Sequence, residues 1–189
     1  MDKEWIRDKT FEKEHDLFNS DKGEYENCIF RNGLLSGADL SDNEFIDCTF
    51  SGCDLSMARL NRTAFRNVVF RECKMMGLHL EHCNPFNLSL RFEYCILDHV
   101  SCYQLQLKGT VFSHCQLREA DFTECDLSGA SLEHCDLSGA RFDHTILEKA
   151  DLRSALHYTI DPIANRIRKA KFSFPGVLAL LAPYGIEVD

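Results

Sequence analysis

The sequence predicts an all-β fold in which the chain winds into a four-sided coil and successive turns stack into a rod. Three observations carry that reading. A large apolar residue recurs at every fifth position over most of the 189 residues. A small or compact residue stands two places before most of these. The 10 cysteines are spaced largely in multiples of five, with no C-x-x-C pair. A helix would need apolar residues at intervals of three, four and seven, and a half-buried strand would need alternation by two. Five residues with two inward positions suit one side of a square coil. Four sides make a turn of twenty residues, and turns stack at the ~4.8 Å spacing of hydrogen-bonded β-structure.

Residues 1–22 lack the repeat, and Trp5, Ile6, Phe11, Leu17 and Phe18 are available to cover the first coil. An uncovered coil end exposes unpaired backbone and invites aggregation. Residues 23–154 carry the repeat in two registers. The first runs Tyr25, Phe30, Leu35, Leu40, Phe45, Phe50, Leu55, Leu60, Phe65, Phe70, Met75 and Leu80. The second runs Phe92, Leu97, Cys102, Leu107, Phe112, Leu117, Phe122, Leu127, Leu132, Leu137, Phe142, Leu147 and Leu152. Twelve residues separate Leu80 from Phe92, two more than two repeats, so a slip falls at residues 84–91, near Pro85. At the twenty-residue period, Phe30, Phe50, Phe70, Phe92 and Phe112 stack on one face. Each buried Leu or Phe contributes about 1.5–3 kcal/mol relative to exposure. The compact slot is filled by Cys28, Cys48, Cys53, Cys73, Cys95, Cys115, Cys125, Cys135 and several alanines. These cysteines read as compact hydrophobes with free thiols, as expected in a reducing compartment.

Residues 155–189 depart from the pattern. Asp161-Pro162 reads as an N-cap followed by proline at the first helical position, predicting a short α-helix there. A second is expected from Pro175, ended by Pro183 and Gly185. Phe174, Val177, Leu178, Leu180, Leu181 and Ile186 are the expected capping or dimer-forming residues of this apolar segment.

The repeats ADLSD (38–42), ADFTE (120–124), CDLSG (125–129 and 135–139) and ADLRS (150–154) resemble the pentapeptide repeat family, with its A-(D/N)-L-x-x pattern. The resemblance covers about residues 23–154. It implies a right-handed quadrilateral β-helix. It also implies kinship with members that mimic B-form DNA in shape and charge, bind bacterial DNA gyrase or topoisomerase IV, and confer resistance to quinolones or gyrase-directed toxins. Such members dimerise through their C-termini. Those with quinolone resistance often carry long projecting loops, whereas this chain has only the slip.

Charge fits that implication. The net charge is -9. Residues 153–189 hold five basic and three acidic groups, which leaves -11 for the remainder. Over a rod of ~31 Å this is one negative charge per ~3 Å, against one per ~1.7 Å for duplex DNA. The candidate partner-binding acids are Asp39, Asp54, Asp121, Asp126, Asp136 and Asp151, each just before a repeat centre. An acidic surface disfavours direct contact with nucleic acid or an anionic bilayer. No P-loop, G-x-S-x-G, H-E-x-x-H or G-x-G-x-x-G motif is present, and a convex rod offers no cleft in which to tune a catalytic carboxylate. No catalytic residue, cofactor or metal is expected. His82, His114 and His134 each precede a cysteine and read as corner residues copied with the repeat. The N-terminus has no apolar leader-like run, and a cytoplasmic location is expected. The other function class that fits is a structural scaffold for a different protein partner.

Overall fold

The computed structural model describes residues 4–13 and 22–186. Leu17 and Phe18, expected over the first coil, lie outside the described residues. The chain forms a parallel β-solenoid with four sides. One side carries a seven-stranded parallel sheet built from Thr10–Glu12, Ile29–Arg31, Thr49–Ser51, Val68–Arg71, Leu90–Glu93, Val111–Ser113 and Ser131–Glu133. The next carries a four-stranded parallel sheet of Glu4–Arg7, Gly23–Glu26, Glu44–Ile46 and Ala64–Arg66. The other two sides are held by single parallel bridges, such as Leu34↔Asp54 and Asp39↔Arg59.

Most registers follow the twenty-residue period. Phe30 faces Phe50, and Val111 faces Ser131. The N-terminal strands pair at nineteen, with Ile6 facing Tyr25 and Phe11 facing Phe30. The predicted slip pairs at twenty-two: Val68 faces Leu90 and Phe70 faces Phe92. The two extra residues form a bulge after Cys83. Phe86 stands outside with the Arg66 guanidinium 5.8 Å from its ring. Leu88 partly fills the inward place.

Every predicted repeat centre is buried. Phe11, Phe30, Phe50, Phe70, Phe92 and Phe112 form one ladder, with ring centroids 4.5–5.5 Å apart. Tyr25, Phe45 and Phe65 form a second. The ladders meet edge to face, for example Phe45 against Phe50 at 5.2 Å. Offset stacks and T-shaped contacts are the arrangements aromatic quadrupoles favour.

The compact slot does more than save space. Its side chains donate to carbonyls of the preceding coil, twenty-three residues back, or twenty-five across the slip. Thr63 and Thr145 Oγ1 donate to the Leu40 and Phe122 carbonyls at 2.8 and 2.7 Å. Cys53, Cys73 and Cys95 Sγ donate to the Phe30, Phe50 and Phe70 carbonyls, each at 3.4 Å. Cysteine therefore adds a weak donor that alanine lacks. Burial pushes the Cys48 and Cys125 thiols up to about 12, which keeps each as a neutral S–H.

Corners adopt left-handed backbone. Asn32, Glu72, Tyr94, His114 and His134 have φ from 51° to 55°. That conformation costs a residue with a Cβ about 1–2 kcal/mol. It persists because corner amides reach carbonyls of the next coil, as Tyr94 does to Ser113 at 2.8 Å and His114 to Glu133 at 2.8 Å.

Residues 4–12 cover the first coil by adding strands to its sheets. Ile6 and Phe11 pack against the core, while Trp5 stays exposed. At the other end no α-helix forms at Asp161-Pro162. Asp161 Oδ1 accepts the Ile163 amide at 2.8 Å, and the chain then continues the coil, with Arg166 bridged to Ile146 and Lys171 to Asp151. The reason is that Asn165 occupies a compact slot and donates to the Phe142 carbonyl at 3.1 Å. Ile167 and Phe172, twenty residues after Leu147 and Leu152, pack against the core. Beyond them the expected second α-helix is reduced to 3-10 turns at Gly176–Leu180 and Ala182–Tyr184. Pro183 has no amide to donate and crowds the preceding turn, which bars a longer helix. Among the described residues no helix is long and apolar enough to cross a membrane.

Phe70 contacts ladder neighbours above and below, so Phe70→Ala opens a cavity that neither coil can collapse into. The expected loss is about 3–5 kcal/mol, measured as a shift of the urea midpoint.

Candidate functional site

The aspartates before the repeat centres have a local structural task. In each, Oδ1 accepts the backbone amide two residues on: Ser41, Ser56, Thr123, Ser128, Ser138 and Arg153 for Asp39, Asp54, Asp121, Asp126, Asp136 and Asp151, at 2.9–3.2 Å. This is the turn chemistry a short carboxylate supplies. It explains why the repeat prefers aspartate there without reference to any partner.

The six acids do not gather on one face. Asp39 and Asp121 share a side with Arg59 and Arg141, and Asp54 and Asp136 share another with Lys74. Asp126 lies on the third side and Asp151 on the fourth. Four are paired with cations. Arg59 reaches Asp39 at 3.2 Å, Lys108 reaches Asp126 at 3.2 Å, Arg118 reaches Asp136 at 2.8 Å, and Arg153 reaches Asp151 at 2.7 Å. Asp126 is only 5% exposed. Among the described residues Asp54 and Asp121 have no ion pair.

These contacts act on the carboxyls. Hydrogen bonds from Ser138, Arg118 and His157 hold Asp136 far below the usual carboxylate range. The Ser41 hydroxyl and amide lower Asp39. Arg153 and its amide lower Asp151. For Asp126 burial acts upward, but the bonds from Ser128 and Lys108 outweigh it and the result is downward. A general acid at neutral pH needs the opposite shift. Asp151, held low in this way, lines the shallow groove shared by Ser131, Glu133, His134, Arg153 and Ser154.

Further negative charge stands at the outward positions after the centres, which the sequence reading passed over. On the side of Asp121, the next corners bring Glu124 and Asp143 together, with Glu124 donating its amide to the Asp143 carbonyl at 2.8 Å. Asp161 follows. The signal for this was the same twenty-residue period, applied to the outer rather than the inner positions. A different corner carries an aromatic column: Tyr94, His114 and His134, with centroids 4.8 Å apart at each step.

The apolar C-terminal segment divides into two sets. Leu180 and Leu181 are half-buried, and Leu180 packs against the end of the core. Phe174, Val177, Leu178 and Ile186 are exposed, Phe174 to 87%.

Asp136 yields a test. A carboxyl depressed in the folded state stabilises fully above its unfolded value of ~3.9, and that stability is lost as pH falls through the folded value. Asp136→Asn is therefore expected to cost about 1 kcal/mol at pH 7. Thermal midpoints from pH 2 to 7 are expected to show a smaller acid-side decline in the variant than in the wild type.

Two family models cover the repeat: "pentapeptide repeat region" matches residues 24–91, and "pentapeptide repeats (8 copies)" matches 91–123 and 120–156. Pentapeptide repeat protein MfpA of Mycobacterium tuberculosis is 31% identical over 78 residues, 40% of this chain. The match spans only 43% of that relative. Among solved structures, trypsin-treated QnrB1, a plasmid-mediated fluoroquinolone resistance protein, is 21% identical with a TM-score of 0.48, and 99% of each chain is covered. HetL from the cyanobacterium Nostoc, involved in regulation of heterocyst differentiation, is 18% identical with a TM-score of 0.31 over 90% of this chain and 88% of that one.

Proposed function

The chain belongs to the pentapeptide repeat family, and from that premise we propose that it is a non-enzymatic, cytoplasmic interaction protein that docks on the DNA-binding surface of a bacterial type II topoisomerase. DNA gyrase or topoisomerase IV is the partner, and protection from quinolones or gyrase-directed toxins is the outcome. The observation that carries the reading is a solid rod with a net charge of -9, its acids repeating at the coil spacing. The side bearing Asp121, Glu124, Asp143 and Asp161 is the face best suited to a basic groove. Complementary charge steers encounter and sets register, and salt screens it.

One observation favours the scaffold reading instead. Asp39, Asp126, Asp136 and Asp151 direct their charge at cations of the rod itself. A scaffold contact with another partner would lean on packing rather than on the net field.

A gyrase supercoiling assay, with and without ciprofloxacin, separates the two. The purified protein is expected to inhibit supercoiling or relieve the drug at micromolar concentration. Raising salt from 50 to 200 mM is expected to weaken the effect at least tenfold. Asp121→Lys with Glu124→Lys is expected to abolish it, while Asp136→Asn leaves it within twofold. No effect at tens of micromolar on gyrase or topoisomerase IV would leave the scaffold reading.

The exposed Phe174, Val177, Leu178 and Ile186 make the C-terminal end the surface for a second copy, doubling the rod. Sedimentation equilibrium is expected to give a dimer, and Leu178→Asp a monomer with unchanged circular dichroism.

A further inference from the structure

On the side that carries Asp39 and Asp121, the coil makes a 3-10 turn at Leu80–His82, immediately before the bulge. Side chains three apart eclipse in a 3-10 turn. His79, at the N-cap, and His82 therefore point the same way. Their rings lie 5.2 Å apart at 15°. Glu81 reaches back to His79, with Oε1 2.9 Å from His79 Nδ1. One ligand atom from each of the three residues lies within 4.8 Å of the other two. Glu81 Oε2 is buried and has no hydrogen-bond partner.

That orphaned oxygen is the informative detail. A His79–Glu81 pair alone would satisfy Oε1 and leave Oε2 buried without a partner, which is unfavourable for a carboxylate oxygen. A cation between the carboxylate and the two imidazoles satisfies it. The nearest guanidinium groups one coil away do not compete, because Arg59 is held by Asp39 at 3.2 Å and Arg62 by both oxygens of Asp42 at 2.7 and 2.8 Å. The following coil presents the uncharged Ser101, Tyr103 and Gln104.

We propose that His79, Glu81 and His82 form a site for one divalent transition-metal ion of the zinc type. Two imidazoles and a carboxylate make a borderline donor set, suited to zinc, nickel or copper and poor for magnesium or calcium, which favour oxygen throughout. Metal–ligand lengths of ~2.0–2.2 Å place tetrahedral ligand atoms about 3.3 Å apart. The present separations, all within 4.8 Å, are somewhat wider. A fourth position faces solvent and takes water. The ion would pin the one 3-10 turn in the repeat where the coil must depart from its period. The site is independent of the topoisomerase reading.

The test is isothermal titration of chelator-stripped full-length protein, kept reduced, with zinc chloride. One equivalent is expected to bind at micromolar concentration. Glu81→Gln and His82→Ala are each expected to weaken binding at least tenfold. His79→Ala with His82→Ala is expected to abolish it, and His114→Ala to leave it unchanged. Cobalt(II) in the site is expected to show visible ligand-field bands without a thiolate charge-transfer band. Both histidines are exposed, and circular dichroism of the metal-free variants checks their fold. Absence of saturable binding up to 1 mM, or binding that survives the double variant, would overturn the site. So would a thiolate band, which would assign the metal to the cysteines.

Discussion

Parallel backbone pairing at a twenty-residue offset is the constraint on which the rest of this molecule depends. Each coil must present its amides and carbonyls to the next at the same heights on all four sides. Once that holds, whatever lies inward at one position lies directly above its counterpart twenty residues earlier. The interior therefore becomes a set of columns, and each column must hold residues that tolerate stacking on their own kind. Phenylalanine does so at 4.5–5.5 Å, and leucine fills most of the remaining places, with Met75, Cys102, Phe122 and Phe142 among them. The same constraint accounts for the corners, where non-glycine residues accept a left-handed backbone because the corner amide would otherwise lose its carbonyl.

The compact slot shows how the period shapes chemistry as well as packing. Its occupant sits beside a carbonyl of the previous coil, so a small side chain with a donor has an advantage over one without. Cysteine, threonine and asparagine all appear there, and Cys53, Thr63 and Asn165 make the same bond to the same kind of acceptor. Buried polar atoms are thereby satisfied along the rod rather than excluded from it.

Charge is governed by the same geometry with a less uniform outcome. An outward position repeats every coil, but its identity need not, so acids and bases interleave along each side. Asp39 below Arg59 and Asp121 below Arg141 follow from this. The aspartates that mark the repeat motif mostly close turns and pair with neighbouring cations. Other acids stand two and three places after the motif position, as Asp143 and Glu124 do, where Asp143 meets His144 and Glu124 accepts the Gln104 amide, each at 2.8 Å. A rod can thus carry a large net charge without any single residue type reporting where that charge is available.

The inner pattern was legible in the sequence because burial leaves little choice: every repeat centre from Tyr25 to Leu152, the aromatic stack and the two-residue slip followed from period and side-chain volume alone. The C-terminal boundary was not legible. Asp161-Pro162 satisfies the local rules for a helix start, and a bond from Asn165 to a carbonyl twenty-three residues away outweighs them. The outer surface was legible only in its total charge. Which acids are free depends on which cation stands one coil above or below and on the rotamer that joins them. His79, Glu81 and His82 meet for the same kind of reason: a 3-10 turn, just before the bulge, brings together side chains that a regular corner would hold apart.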